Sequence, residues 1–412
     1  MSRLLIITAI AASYFVFAIL LNSVGTVILQ SIDSLGVTKP QASTLEGFKD
    51  LSIAIVSFAI ASFIPRIGYK VALLVGLAIV AAACLLTPVI ASFWIIKLLF
   101  ACIGVSFALV KVSVYSIIGQ LTHSTTQHSS LLNTVEGIFM LGSLAGYWLF
   151  SVFIEANNPL SLAWLNVYYP LAGLIILALV IVAFSPIAKP MRSSSQVSAA
   201  QDFIDMLKMS YQPLVLIFIM SIFLYVLIEQ SIGTWLPTFN SKVLNLPADI
   251  SVQMASIFAA ALALGRLMAG QILRFMNWYP FLNICLALMM VNILATMPLA
   301  KDLNTSDITS VFDAPFAAFL LPLVGLMMAP LYPVLNSVML SNLDKEKQAP
   351  MTGLIVIFSA LGGTTGSMIT GLFFEEMGGE KAFYMSIIPM ILLTITLFYF
   401  KRLSQSHASN GH

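Results

Sequence analysis

The stretch TLEGFKDLSIAIVSFAIASFIPRIGYK, residues 44–70, sets charged residues at both ends of an uncharged and mostly apolar run. Glu46, Lys49 and Asp50 open the stretch, more than three helical turns without a charge follow, and two basic residues close it. An apolar run of this kind is typical of a helix that crosses a bilayer. Charged residues at the end of such a helix either anchor it at the membrane interface or take part in function.

The composition of the whole chain indicates the same class of protein. Of the 412 residues, 59% are hydrophobic and only 9% are charged, whereas soluble domains average roughly 25% charged residues. The net charge of +2 is too small to indicate a nucleic-acid partner. The three cysteines stand singly, and no nucleotide-binding or hydrolase motif is found. We therefore predict an integral membrane protein that is not an enzyme and has no cofactor or metal.

Apolar segments long enough to cross a bilayer recur along the chain. We expect twelve spans, near 4–29, 42–64, 71–91, 94–118, 130–154, 166–185, 213–237, 251–273, 280–299, 314–340, 350–373 and 382–400. The widest polar break follows the sixth span. The predicted fold is an all-α membrane protein of two six-helix bundles, 1–188 and 213–412, joined by a cytoplasmic loop, 189–212.

The basic residues of the loops predict the orientation. With the N-terminus inside, the outer loops hold only Lys39, Lys242, Lys301 and Lys381. The inner segments hold Arg3, Arg66, Lys70, Lys189, Arg192, Lys208, Arg274, Lys345, Lys347, Lys401 and Arg402. Eleven against four favours cytoplasmic termini, including a short cytoplasmic tail.

Ionisable residues within the second span form a first candidate site. Glu46, Lys49 and Asp50 share one helical face because they are three and four residues apart. Lys49 can pair with either carboxylate, which leaves one acid to titrate or to hold a coupling cation. We favour Asp50, the deepest of the three, as that acid. The alternative is that all three only fix the depth of the helix at the interface.

Lys111 in helix 4 and Glu136 in helix 5 form a second candidate site. Each lies several residues from the same membrane face, at a depth of about 12 Å for Lys111. The connecting loop is short, so the two helices are expected to be antiparallel neighbours. The simplest prediction is a Lys111–Glu136 ion pair, which either holds the structure together or serves substrate binding or coupling.

Helices 7 and 10 supply a third candidate site. Glu229, Gln230 and Trp235 lie within two turns, and an acid, an amide and an aromatic ring suit recognition of a polyol or sugar. The alternative is a polar clamp between helices and an interfacial tryptophan. Two prolines are expected to break helix 10 near Tyr332 and Asn336, which share a face.

The sequence resembles the major facilitator superfamily. FIPRIGYK after helix 2 is similar to the GxxxDRxGRK loop of that family, and Arg66, Gly68 and Lys70 match it. The usual glycine and aspartate are replaced. The segment GRLMAGQILRF after helix 8 also lacks the acid. The resemblance implies that Arg66, Lys70 and Arg266 belong to an inner gate.

Four helices resemble the fucose permease branch of that family. The matching residues are Leu132, Asn133, Glu136 and Gly142 in helix 5, Tyr225, Glu229, Gly233 and Trp235 in helix 7, and Met328, Tyr332, Pro333, Ser337, Asn342 and Leu343 around helix 10; helix 11 is similar in its paired glycines. The resemblance implies proton-coupled or sodium-coupled uptake of hexoses or deoxyhexoses, with Asn133 among the substrate ligands.

Two departures from the fucose permease pattern change this expectation. Helix 1 has Gly25 about where the family carries an aspartate, and helix 4 has Lys111 in the region of a glutamate. A lysine there suits a carboxylate, which brings sugar acids and other small organic anions into the prediction. Coupling would then fall to Asp50, Glu136 or Glu229.

We therefore predict a monomeric secondary transporter of the bacterial inner membrane. It would take up a small polar nutrient, a sugar or sugar acid, by proton or sodium symport through alternating access. The alternative is a proton-driven exporter of drugs or metabolites, because the methionines and phenylalanines suit an adaptable apolar cavity.

Overall fold

The computed structural model describes residues 2–60, 67–122, 124–187, 208–301 and 308–410. Within these residues the chain is helical, and no strand occurs. The contacts between residues divide the chain into two compact units. The first comprises Met1–Val37 and Leu45–Ala199, and the second comprises Thr38–Thr44 and Ala200–His412. Most of the predicted central loop, 189–212, lies outside the described residues, and its place as the boundary of the bundles stays a prediction.

The first unit is built from long apolar helices. They are α1 (Ser2–Asn22), α2 (Val24–Leu35), α3 (Lys39–Ile60, from its second turn onward), α4 (Tyr69–Ile90), α5 (Phe93–Leu121), α6 (Thr125–Val152) and α7 (Tyr168–Phe184). Helix α1 packs along α6 and α7, while α4 packs against α5 and α7. Helices α5 and α6 each have a serine as N-cap, Ser92 and Ser124. The hydroxyl of each serine accepts a hydrogen bond from a backbone N–H of the first turn.

The second unit has more broken helices. They are α8 (Pro213–Gly233), α9 (Leu236–Lys242), α10 (Ala248–Ile272), α11 (Trp278–Leu299), α12 (Phe316–Leu320), α13 (Val324–Met328), α14 (Leu331–Ser341), α15 (Lys345–Met377), α16 (Gly379–Met385) and α17 (Ile387–Asn410). Helix α8 lies between α15 and α17, and α10 packs against α13.

Eleven helical segments among the described residues are long and apolar enough to cross a membrane. The chain is therefore a multi-pass membrane protein. The second predicted span is not one of the eleven, since α3 carries three charges within its last 18 residues and residues 61–66, where the predicted span continues, are outside the described part. The predicted count of twelve and the predicted orientation remain expectations.

The predicted break in helix 10 is confirmed at Pro330, whereas Pro333 lies within the first turn of the last helix and does not break it. Residues 316–341 form three short α-helices with a 3-10 turn between the first two, and Pro330 precedes the last of them. Proline lacks the N–H that continues a helical ladder. The interruption places Tyr332 in the first turn of α14.

Two glycines allow helices within each unit to touch through their backbones. A Cβ atom on Gly104 of α5 would collide with the Lys49 carbonyl and with Cβ of Ser52 on α3. A Cβ atom on Gly366 of α15 would lie 2.8 Å from Cα of Leu227 on α8. Small residues permit such close packing in membranes. These contacts set the positions of the polar side chains on α3 and α8.

Candidate functional site

A hydrogen bond between neighbouring helices forms the centre of the first-unit cluster, which we define as Lys111, Tyr115 and Glu136. The Tyr115 hydroxyl of α5 donates to Oε1 of Glu136 on α6 over 2.8 Å. Tyr115 is 38% exposed and Glu136 is half-buried. The carboxylate is thus held in place while remaining accessible from the surface of its unit.

Lys111 does not form the ion pair that we predicted with Glu136. Its Nζ atom lies 5.7 Å from the ring centre of Phe107 and 5.9 Å from that of Tyr115, near the roughly 6 Å limit of a cation–π contact. In the described part of the chain no carboxylate lies within ion-pair distance of Lys111, and Glu136 acts on it electrostatically from farther away. The side chain is exposed. The prediction of direct pairing was wrong because Tyr115 takes the place beside Glu136.

Aromatic rings form an apolar wall beside the first-unit cluster. The Phe107 ring lies 6.2 Å from Tyr14, 5.8 Å from Phe17 and 6.1 Å from Phe139, measured between ring centres. Tyr14 and Phe17 on α1 are fully buried. Phe107 is buried as well, so only Phe139 keeps part of its ring surface accessible beside the exposed ammonium group.

Glu46, Lys49 and Asp50 form a triad on α3 in which Glu46 and Lys49 are buried and Asp50 is part-buried. Nζ of Lys49 lies 2.5 Å from Oε1 of Glu46 and 3.4 Å from Oδ1 of Asp50. Glu46 is fully buried and Lys49 is only 6% exposed. The predicted shared face is confirmed, but Lys49 contacts both acids and Glu46, rather than Asp50, is the most buried. The triad lies within the packing of the first unit, where Gly104 touches the Lys49 backbone.

The second-unit cluster consists of Tyr225, Glu229, Arg266, Tyr332 and Ser359. The Tyr225 hydroxyl donates to Oε1 of Glu229 over 3.2 Å, and the rings of Tyr225 and Tyr332 lie 5.6 Å apart. The hydroxyls of Tyr332 and Ser359 are 3.3 Å apart. The charge of Arg266 is within electrostatic reach of Tyr225. The cluster joins α8, α10, α14 and α15 around one carboxylate.

Trp235 does not lie with the second-unit cluster. It is fully buried, its indole N–H donates to the Ser367 carbonyl over 3.0 Å, and its ring stacks on Phe374 at 5.5 Å. Both its polar atom and one ring face are therefore used by helix packing. The prediction that this ring stacks on a substrate is corrected: α8 ends at Gly233, so Trp235 falls in the break before α9 and leaves the face of Glu229.

Gln230, Asn133 and Asn336 occupy three different surroundings. Gln230 accepts a hydrogen bond from the Thr234 hydroxyl through Oε1 at 2.8 Å, which is a contact within one helix end. Asn133 is exposed on α6, one turn from Glu136. Asn336 lies one turn beyond Tyr332, and its buried Oδ1 atom has no hydrogen-bond partner among the described residues.

The predicted gate residues are described only in part. Arg66 lies outside the described residues. Lys70 donates from Nζ to the Ser185 carbonyl at the end of α7, over 2.9 Å, and so caps that helix within its own unit. Arg266 is exposed on α10 and acts on the second-unit cluster.

Three residues of these clusters were missed by the sequence analysis as site residues. Tyr115 follows Lys111 by four positions, and Tyr225 precedes Glu229 by four, so each pair shares a helical face. That spacing is a signal that the sequence contains. Ser359 reaches Tyr332 from another helix, and no local spacing points to it.

No metal site is apparent in the part of the chain that the structure describes, since no three histidine, cysteine, aspartate or glutamate side chains converge there. What the clusters offer instead is hydrogen bonding and charge. Each unit holds a carboxylate that accepts a hydrogen bond from a tyrosine hydroxyl, and a basic side chain lies nearby. Such groups recognise polar solutes or bind protons.

An all-α chain with many bilayer-length helices that carry such polar clusters defines a polytopic membrane protein of the transporter class. The sequence model of the Major Facilitator Superfamily matches residues 10–312, which is more than half of the chain. The chain therefore belongs to the Major Facilitator Superfamily. A search of curated protein sequences finds no significant match.

Solved transporter structures share the fold. A bacterial homologue of the human lysosomal transporter Spinster, inward-facing and unoccupied, is 13% identical, with 98% of each chain covered and a TM-score of 0.78. A D-xylose-proton symporter is 12% identical, with 97% of each chain covered and a TM-score of 0.72. FucP in the outward conformation is 14% identical, with 98% of this chain and 99% of that chain covered and a TM-score of 0.61. At these identities the likeness shows the fold alone.

Proposed function

We propose that this protein is a secondary active transporter that takes up a small polar solute, a sugar or sugar acid, by symport with a proton or sodium ion. It acts as a monomer in the inner membrane, with both termini in the cytoplasm. The two bundles alternate access to a site between the membrane faces.

The observation that carries this proposal is the Tyr115–Glu136 hydrogen bond beside the exposed Lys111. Charged side chains are expensive within a membrane, and those that remain accessible there mark a path for solute or ions. An anchoring role does not account for Lys111, since it lies in mid-helix, 11 residues before Thr122, the C-cap of α5.

The second-unit cluster supports the polar nature of the solute. Glu229 is half-buried, and Tyr332 and Asn336 offer further hydrogen-bonding groups on α14. A carboxylate and an amide oxygen accept hydrogen bonds from hydroxyl groups of a sugar, while a tyrosine hydroxyl can donate or accept. The D-xylose-proton symporter and FucP have the same fold, which makes sugars the first solutes to test.

The coupling cation requires a group that changes its charge state or binds an ion during the cycle. The candidates are Asp50 in the triad, Glu136 in the first-unit cluster and Glu229 in the second-unit cluster. The triad holds two carboxylates, Glu46 fully buried and Asp50 part-buried, in contact with one ammonium group. Two carboxylates this close together in a membrane helix favour uptake of a cation.

Counterflow in proteoliposomes tests the proposal. Vesicles loaded with unlabelled galactose, xylose or galacturonate are diluted into the labelled compound, and transient accumulation is expected for at least one of them. An imposed pH or sodium gradient should then drive net uptake. Asp50→Asn, Glu136→Gln and Glu229→Gln separate the candidates, because loss of gradient-driven uptake with intact exchange identifies the coupling acid. Lys97→Gln is the control for the first-unit and second-unit clusters, since Lys97 lies over the rings of Phe93 and Trp94 near the other end of α5 from Lys111.

Absence of counterflow for all three compounds would contradict uptake of sugars or sugar acids. Proton-driven efflux of apolar cations from the same vesicles would then favour the exporter. Phe139, the part-exposed ring of the aromatic wall, would then be the first residue to test as its binding surface.

A further inference from the structure

We infer that the first-unit cluster binds a monocarboxylate together with one proton: the carboxylate pairs with Lys111, and Glu136 takes up the proton. The inference rests on the proposed transport function and narrows its substrate to an acid. It begins from the surroundings of Lys111, which differ from those of an ordinary membrane lysine.

Lys111 lacks the compensation that a cation in a membrane helix requires. The two aromatic rings near Nζ are at the far limit of useful contact, at 5.7 and 5.9 Å. No carboxylate among the described residues lies within ion-pair distance, and the side chain is exposed. By comparison, Lys97 on the same helix has rings at 4.5 and 4.7 Å. An exposed ammonium group in these surroundings is open to an anionic ligand.

The surroundings also limit the shape of the ligand. The Phe107 ring near the ammonium group packs 6.1 Å from Phe139, whose ring is part-exposed, and the Tyr115 hydroxyl is held by Glu136. The part-exposed ring of Phe139 suits the carbon skeleton of the acid, and the tyrosine oxygen can accept a hydrogen bond from a hydroxyl group. A hydroxylated monocarboxylate matches both features.

Charge balance adds the proton. In the empty cluster the charges of Lys111 and Glu136 sum to zero, although the two groups are not in contact. A ligand carboxylate that pairs with Lys111 adds one negative charge. Lys111 then no longer offsets the negative charge of Glu136. A second carboxylate beside a single cation is costly within a membrane, so protonation of Glu136 accompanies binding. The proton comes from water on the side from which the acid enters.

The other groups around Glu136 do not supply that charge. From α1 it is faced by Tyr14, and from α5 by Tyr115 and Lys111. Neither tyrosine can add positive charge. Lys111 is therefore the one cation available to both Glu136 and the carboxylate of the ligand. For this reason, binding of the acid is coupled to uptake of a proton by Glu136.

A matched pair of sugars tests the inference on the full-length purified protein. Galacturonate and galactose differ mainly at one carbon, a carboxylate against a hydroxymethyl group. Gluconate and lactate extend the carboxylate set. Binding is measured by thermal shift and by direct titration. We expect a carboxylate to bind and galactose to bind more weakly. In Lys111→Gln the affinity for the acid should fall on the order of 30-fold or more, while Lys111→Arg should retain part of it. Lys97→Gln should behave as wild type.

Proton uptake is the second measurement, and it does not depend on transport. The acid that binds in the first experiment is mixed with the protein in weakly buffered solution that contains a pH indicator. Wild type should take up about one proton for each molecule of acid bound. Glu136→Gln should bind the acid with no uptake. Proton uptake that persists in Glu136→Gln but disappears in Asp50→Asn would overturn the role of Glu136.

The outcomes separate this inference from the proposed function. Binding and counterflow of galactose without binding of any of the three carboxylates would overturn the inference and leave sugar uptake standing. An acid affinity unchanged in Lys111→Gln would also overturn it. If none of these compounds bind or exchange, both the inference and the proposed uptake are wrong.

Discussion

Lys49 and Lys111 are both lysines of membrane helices in the same unit, yet their surroundings are opposite. Lys49 contacts two carboxylates and is nearly inaccessible, whereas Lys111 is exposed and contacts none among the described residues. A buried charge is tolerated in a protein only when an opposite charge of the protein pairs with it. An accessible charge can instead pair with a charged ligand. Burial and pairing, rather than the presence of a charge, therefore distinguish a structural lysine from a binding one.

The largest expected effect is on stability, from replacing these two lysines by methionine. Lys49→Met removes a cation that contacts the fully buried Glu46 and the part-buried Asp50, so the free energy of unfolding should fall by about 3–5 kcal/mol. Lys111→Met removes a cation that no carboxylate contacts and should not lower it. Thermal unfolding of both variants in one detergent measures the difference.

The same experiment can break the comparison. If Lys111→Met destabilised the protein as much as Lys49→Met, Lys111 would have a structural partner and the binding role would fail. Double substitution of Lys111 and Glu136 adds a check, because the effects on stability should be nearly additive for side chains that are not in contact.

The sequence predicts well what depends on spacing within one helix. Glu46, Lys49 and Asp50 lie three and four positions apart, and such side chains meet on any regular helix. The break at Pro330 is equally local. These features needed no knowledge of neighbouring helices.

The sequence predicts poorly what depends on two helices at once. Similar depth for Lys111 and Glu136 does not fix the rotation of either helix, and the structure turns Tyr115 towards Glu136 instead. Trp235 lies six residues after Glu229, but the helix ends between them, so its ring joins a different set of contacts. Side-chain direction beyond a helix end cannot be inferred from helical spacing.

The next largest effect is expected on binding through the second unit. Glu229→Gln keeps the size of the side chain but removes a charged acceptor, so affinity for the transported solute should fall about tenfold or more. Tyr225→Phe, which removes the donor to Glu229, should have a smaller effect in the same direction. Titration with the solute identified by counterflow measures both, and unchanged affinity in Glu229→Gln would exclude that residue from the site.

A smaller effect is expected from Trp235, which is polar and buried like Lys49 but neutral. Trp235→Phe removes the hydrogen bond to the Ser367 carbonyl and should cost about 1 kcal/mol of stability. The affinity for solute should not change, because the ring is fully buried. Trp94→Phe is the matched control, since Trp94 is 74% exposed. A loss of affinity in Trp235→Phe at full stability would restore its predicted role in substrate binding.

The smallest effect is expected from Asp344, whose ion pair with Lys347 is exposed and therefore opposite to the Lys49 triad. The two side chains are 2.8 Å apart, with 76% of Asp344 and 51% of Lys347 exposed. The hydrogen bond from Lys347 holds the pKa of the Asp344 carboxyl below its usual value. A lowered folded pKa means that the pair stabilises the protein above the unfolded pKa of about 3.9, and that this contribution is lost as the pH falls through the folded value.

Water screens the pair, so Asp344→Asn should leave the melting temperature at neutral pH unchanged within error. The difference between variant and wild type should also stay undetectable on acidification. A decrease as large as that of Lys49→Met would mean that pairing stabilises this protein regardless of burial, and the distinction between Lys49 and Lys111 would then need another cause.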